Sequence, residues 1–156
     1  MGAAKLVAEA TEKGITITTA ESCTGGMVSA AITDIAGSSA VFERGFVTYS
    51  NAAKTEMLGV DPATLDTYGA VSEQVAGQMA RGALRAAACG IAVSVTGIAG
   101  PGGSGHKPEG RVCFGVATKD GVQTVTHEFG ALGRAQVRAV SVQTALGLLS
   151  AAIDSL

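Results

Sequence analysis

The sequence predicts an α/β fold: a three-layer α/β/α sandwich with a mixed, mostly parallel sheet and a C-terminal β-hairpin plus helix. Three observations carry this. Helix-like and strand-like segments alternate along the chain, as βαβ units require. "IAVSVTG" (91–97) is the most apolar strand-like run, which suits a central strand covered on both faces. Two further β-like runs flank Asp120-Gly121, a strong hairpin turn signal that adds an antiparallel part.

The elements follow in order. "AAKLVAEATEKG" reads as a helix ended by Gly14 in a left-handed C-cap. "ITITTA" alternates and is β-branched, so it is a strand. "GGMVSAAITDIAG" reads as a helix closing near Gly37, and "ERGFVTYS" as the second strand. Asn51 is placed to cap the short helix in "NAAKTEMLG", and Asp61-Pro62 forms an N-cap and first-turn pair for another. A long helix runs from the Ser72 cap to a stop at Gly90, with Ala76, Met79, Ala83 and Ala87 on its buried stripe. Residues 98–110, "IAGPGGSGHKPEG", are too rich in Gly and Pro to be regular. The last helix starts near Arg134 and presents Val142, Leu146, Leu149 and Ile153 on one face.

The totals narrow the function classes. With 156 residues, 47% hydrophobic and 15% charged, the chain is expected to form one domain over 1–156 with a full core. A net charge of -2 argues against a broad nucleic-acid footprint. Cys23, Cys89 and Cys113 are odd in number and form no C-x-x-C pair; His106 and His127 lack zinc-ligand spacing. The expectation is reduced cysteines, a cytoplasmic protein, and no metal or other cofactor. The N-terminus lacks a secretory apolar core, and no apolar run is long enough to span a bilayer, so no membrane association is expected.

Three segments each follow a predicted strand directly: "ESCTGG", "TYSNAAK" and "TGIAGPGG". In open α/β sheets, ligands bind at such carboxyl ends. Ser22 sits on a strand-to-helix turn whose N–H groups at Thr24, Gly25 and Gly26 are placed to hold an oxyanion. The plain alternative is that Ser22 or Thr24 only caps the helix. A nucleophilic serine needs a base, and neither histidine has an acidic partner at a telling spacing. Lys54, one turn into the next helix, is the other choice, with Tyr49 at the end of the strand before it. Most helix lysines are simply solvated, and neutral Lys at pH 7 is disfavoured by roughly 4–5 kcal/mol, so a basic role requires burial or a nearby cation. Lys54 acting directly and Lys54 acting through the Tyr49 phenol both remain open. Cys23, at a helix N-terminus, is a rival nucleophile.

The glycine-rich loop adds Thr96, Gly97 and Gly100 as substrate-positioning candidates. It nearly matches a Walker A loop, but His106 stands where that motif needs lysine. Arg134 and Arg138 share one face at the start of the last helix, where cations oppose the helix dipole; a nearby anion would account for them.

"AESCTGG", "SSAVFERGFVTYSNAAK", "GAVSEQVA" and "VTGIAGPGG" together resemble the CinA C-terminal domain family, over roughly residues 5–153. The resemblance implies hydrolysis of the carboxamide of nicotinamide mononucleotide, releasing nicotinate mononucleotide and ammonia in pyridine-nucleotide salvage. It puts the family's catalytic serine on Ser22, its lysine on Lys54, its tyrosine on Tyr49, its threonine on Thr96, and its last-helix arginine on Arg134 or Arg138. It implies a homodimer or higher homo-oligomer, and a chain that begins directly at this domain, without the molybdopterin-binding-like domain that many relatives carry. The "SGHKP" segment departs from the pattern, in a loop where relatives vary. A non-catalytic nucleotide-binding or competence- and damage-linked accessory module is the competing expectation.

Overall fold

The computed structural model describes residues 2–156. Twelve elements follow in order: helix α1 (Gly2–Lys13), strand β1 (Ile17–Glu21), α2 (Met27–Thr33), a short 3-10 turn (Ser38–Ala40), β2 (Phe42–Val47), α3 (Asn51–Leu58), α4 (Pro62–Tyr68), α5 (Glu73–Ala87), β3 (Ile91–Gly97), β4 (Arg111–Thr118), β5 (Gly121–Glu128) and α6 (Arg134–Asp154). The five strands form one open sheet in the order β2-β1-β3-β4-β5. β1 pairs in parallel with both β2 and β3. The β4–β5 hairpin continues the sheet antiparallel from β3. Four strands therefore run the same way and only β4 opposes them, in agreement with the mixed, mostly parallel sheet.

The helices cover both faces. Leu6 and Ala10 of α1, Val28 and Ile32 of α2, and Leu146 and Leu149 of α6 pack with Val93, Val95 and Phe114 on one side. Leu58 of α3, Leu65 of α4 and Met79 and Ala83 of α5 pack with Ala20 and Ala92 on the other. Burial of these apolar faces on both sides of the sheet is what holds the three layers together. The stripes predicted on α5 and α6 are all buried. Gly82 sets how closely α3 approaches α5: a Cβ there would lie 1.8 Å from the Leu58 carbonyl oxygen.

Local expectations differ at several points. β1 is buried along its whole length despite its alternating pattern, because helices cover both of its faces. β2 ends at Val47, so Tyr49 lies in the loop beyond it. α2 stops at Thr33, and a 3-10 turn fills the chain after Gly37. The α3 cap is Ser50, whose hydroxyl accepts from the Ala53 N–H at 3.0 Å; Asn51 is already helical. α5 is capped at its C-terminus by Ala88 in the left-handed region. Gly90 serves instead as a close approach, its N–H donating to the Thr16 carbonyl where a Cβ would press on Ile15. The hairpin pairs Thr118 with Gly121, making Lys119-Asp120 the two-residue turn.

Candidate active site

The site is built where three strands end side by side. β1 is flanked by β2 and β3, with Glu21 opposite Val47 on one side and Val95 on the other. The chain leaving β1 carries Ser22, whose N–H donates to the Val95 carbonyl at 2.9 Å. The chain leaving β2 delivers Thr48, Tyr49 and, one helical turn into α3, Lys54. β3 ends with Thr96 and Gly97.

Lys54 is 1% exposed. Its Nζ donates to Ser22 Oγ and to the Thr48 carbonyl, each at 3.1 Å. Burial lowers its pKa below the ordinary lysine value, against a smaller opposing effect from Cys23. Among the described residues the ion pairs join Lys5 to Glu9, Arg44 to Glu43 and Arg111 to Glu128, so Lys54 has no carboxylate to hold it charged. A neutral amine here would keep an N–H for Thr48 and offer its lone pair to the Ser22 hydroxyl, the arrangement a general base needs.

Cys23 is the weaker candidate nucleophile. Burial pushes its thiol up to about 11, and it is 4% exposed. The lowered pKa expected from a helix N-terminus is absent because desolvation outweighs the neighbouring Arg138 and Lys54 charges.

Glu21 was not anticipated from the sequence. This fully buried carboxylate accepts from Thr24 Oγ1 at 2.6 Å, from the N–H groups of Gly26, Val28 and Ser29, and from Ser29 Oγ. It takes up the donors that open α2. Gly25 donates to the Ser22 carbonyl, so neither glycine N–H is available for an oxyanion. The N–H groups of Cys23 and Thr24 find no protein acceptor among the described residues. The readable sign was a lone acid ending an apolar strand just before a helix start.

The two arginines separate. Arg138 donates to the Cys23 and Thr24 carbonyls and braces the serine turn from behind. Arg134 donates to the Gly100 carbonyl at 2.7 Å and to the Tyr49 hydroxyl at 2.5 Å. Tyr49 is 59% exposed and its oxygen bonds to Arg134 rather than to Lys54 or Ser22. The buried Thr96 hydroxyl donates to the Ala70 carbonyl at 2.8 Å. Glu109, also missed, accepts from the Gly102 and Gly133 N–H groups and ties the glycine-rich loop to the start of α6.

These parts surround one cavity of about 650 Å³, lined by Ser22, Tyr49, Lys54, Thr96, Lys107 and Arg134 among others. Gly97 and Gly100 lie in its wall; Thr24, Gly25, Gly26 and Arg138 stand outside it. No Asp or Glu lines it, although the chain carries 13 of them. Among the described residues no cluster of His, Cys, Asp and Glu could hold a metal ion, and no helix is long and apolar enough to cross a membrane.

Fold and site together define an α/β domain that presents a serine–lysine pair to a cationic, carboxylate-free cavity. A family model for the CinA C-terminal domain matches residues 2–153, and the chain belongs to that family. It is 60% identical over 139 residues to the nicotinamide-nucleotide amidohydrolase PncC of Enterobacter agglomerans, spanning 86% of this chain and 85% of that protein. The Escherichia coli K12 protein of the same name is 56% identical over 138 residues, spanning 88% and 84%. Among solved structures, the competence/damage inducible protein CihA of Agrobacterium tumefaciens superposes with a TM-score of 0.93 at 49% identity, covering 97% of this chain and 93% of that one.

Proposed function

We propose that the protein hydrolyses the carboxamide of nicotinamide mononucleotide to nicotinate mononucleotide and ammonia, with Ser22 as nucleophile. The observation that carries this reading is the buried Lys54 amine 3.1 Å from Ser22 Oγ, in a cavity free of carboxylates. The PncC relatives, named as amidohydrolases of nicotinamide nucleotides, support the substrate class.

Neutral Lys54 takes the Ser22 proton as Oγ bonds to the carboxamide carbon. The tetrahedral oxyanion accepts from the N–H of Cys23, which borders the cavity and donates to no backbone carbonyl among the described residues. Protonated Lys54 then gives its proton to the amide nitrogen, the C–N bond breaks and ammonia leaves. Water attacks the ester on Ser22, Lys54 accepts one of its protons and returns it to Oγ, and the acid is freed, giving its remaining proton to solvent to become the carboxylate. Arg134 contributes to holding the anionic end of the substrate, with Tyr49 orienting the guanidinium rather than relaying the proton. Thr96 and the glycine loop shape the pocket around ring and ribose.

Ammonia release from nicotinamide mononucleotide, measured on the wild type and on Ser22→Ala, tests the reading. Activity that vanishes in the variant, with circular dichroism and melting retained, is the expected result. A wild type that binds the nucleotide without releasing ammonia would make the domain a binding module; turnover undiminished by the substitution would remove serine from the chemistry.

A further inference from the structure

Lys107 lies in the cavity wall, on the glycine-rich loop that follows β3. It is half-buried at the base of a tight turn, where its backbone exchanges hydrogen bonds with Ser104. Its Nζ donates to the Tyr68 and Val71 carbonyls, each at 2.6 Å. Two neutral oxygens leave one N–H and the whole positive charge uncompensated. The ammonium also borders a shallower groove containing Glu73 and Glu128, but both acids are engaged elsewhere. Glu73 accepts from Thr124 and Thr126, and Glu128 pairs with Arg111. Among the described residues no carboxylate oxygen lies within 4.0 Å of Lys107.

We propose that Lys107 is a specificity-determining residue, its ammonium binding the phosphomonoester of the substrate and so selecting phosphorylated over unphosphorylated pyridine ribosides. Three features meet there. The cation is fixed by a pair of carbonyls rather than free to wander, so little side-chain entropy remains to be lost on binding. It is half-shielded from water, which strengthens a charge-assisted hydrogen bond. And it faces a cavity with no competing acid. Tyr68 ends α4, so the same ammonium caps that helix's C-terminus; the two roles use different N–H groups.

The inference deepens the proposed reaction by assigning its phosphate contact, and its test does not need turnover. Calorimetry measures ribose 5-phosphate and ribose binding to the full chain as wild type, Lys107→Met and Lys107→Arg, with folding checked by circular dichroism. Ribose 5-phosphate affinity should fall about tenfold or more in Lys107→Met, the worth of one charge-assisted hydrogen bond, and recover in Lys107→Arg, while the ratio to ribose collapses only in the methionine variant. Wild-type affinity in Lys107→Met, a failure of the wild type to bind ribose 5-phosphate, or an equal loss for both sugars would overturn it, the last by reducing Lys107 to a strap on α4. If the wild type binds in the expected pattern yet releases no ammonia from the mononucleotide, the proposed reaction fails and the Lys107 assignment stands.

Discussion

Ser22 and Lys54, 32 positions apart in sequence, meet at 3.1 Å with both side chains buried. Parallel pairing of β1 with β2 brings them together: Thr48 donates its N–H to the Glu21 carbonyl and accepts from Lys54 Nζ. The frame that ends one strand thus holds the Lys54 amine against the residue following the other.

Lys54→Met should separate chemistry from stability. Loss of the base is expected to lower kcat by about 10²–10⁴-fold. Burial depresses the Lys54 pKa below its ordinary 10.5, so charged Lys54 costs the native state free energy at neutral pH. The melting temperature of the methionine variant at pH 7 should therefore equal or exceed the wild type's. A large drop would mean that the two hydrogen bonds outweigh the desolvation.

The pH dependence has a definite sign. Between the lowered folded-state pKa and 10.5 the unfolded chain binds more protons than the native one, so this lysine makes stability rise with pH across that window. Catalytic efficiency should also rise with pH, through the lowered Lys54 pKa of the free enzyme. A kcat/KM profile falling over that range would exclude Lys54 as the base.

Cys23→Ala should retain most ammonia release, because a thiol pushed up to about 11 is almost wholly protonated at pH 7. Loss of activity comparable to that of Ser22→Ala would transfer the nucleophile to sulfur.

Glu21→Gln should cost about 2–4 kcal/mol, since an amide nitrogen would face N–H and hydroxyl donors that the carboxylate now satisfies. For a chain of this size that is a fall of about 5–15 °C in melting temperature, read by calorimetry. A variant melting with the wild type would show that the α2 donors find water instead.

Much of this was legible in the residues. Alternating periodicities, the apolar 91–97 run and the hairpin signal yield the sheet and its layers, since each reports which faces are buried. Ser22, Lys54 and Thr96 could be placed because strand ends gather in an open sheet. What escaped depended on side-chain direction. Tyr49 sits past the end of β2 and turns to Arg134, which spacing alone does not encode. Arg134 and Arg138 share a helix face, but only the packing of α6 against the serine turn assigns one to the cavity and the other to backbone carbonyls. Glu21 escaped because a buried carboxylate reads as an outward strand end until its donors are seen.

The absence of acidic side chains around the cavity bears on how a catalytic cycle ends. On the proposed reaction the nicotinate product carries one more negative charge than the amide it came from, so the same walls that attract the reactant retain the product more firmly, while ammonium is repelled. Release of the acid is then expected to be slow, and to be eased by added salt.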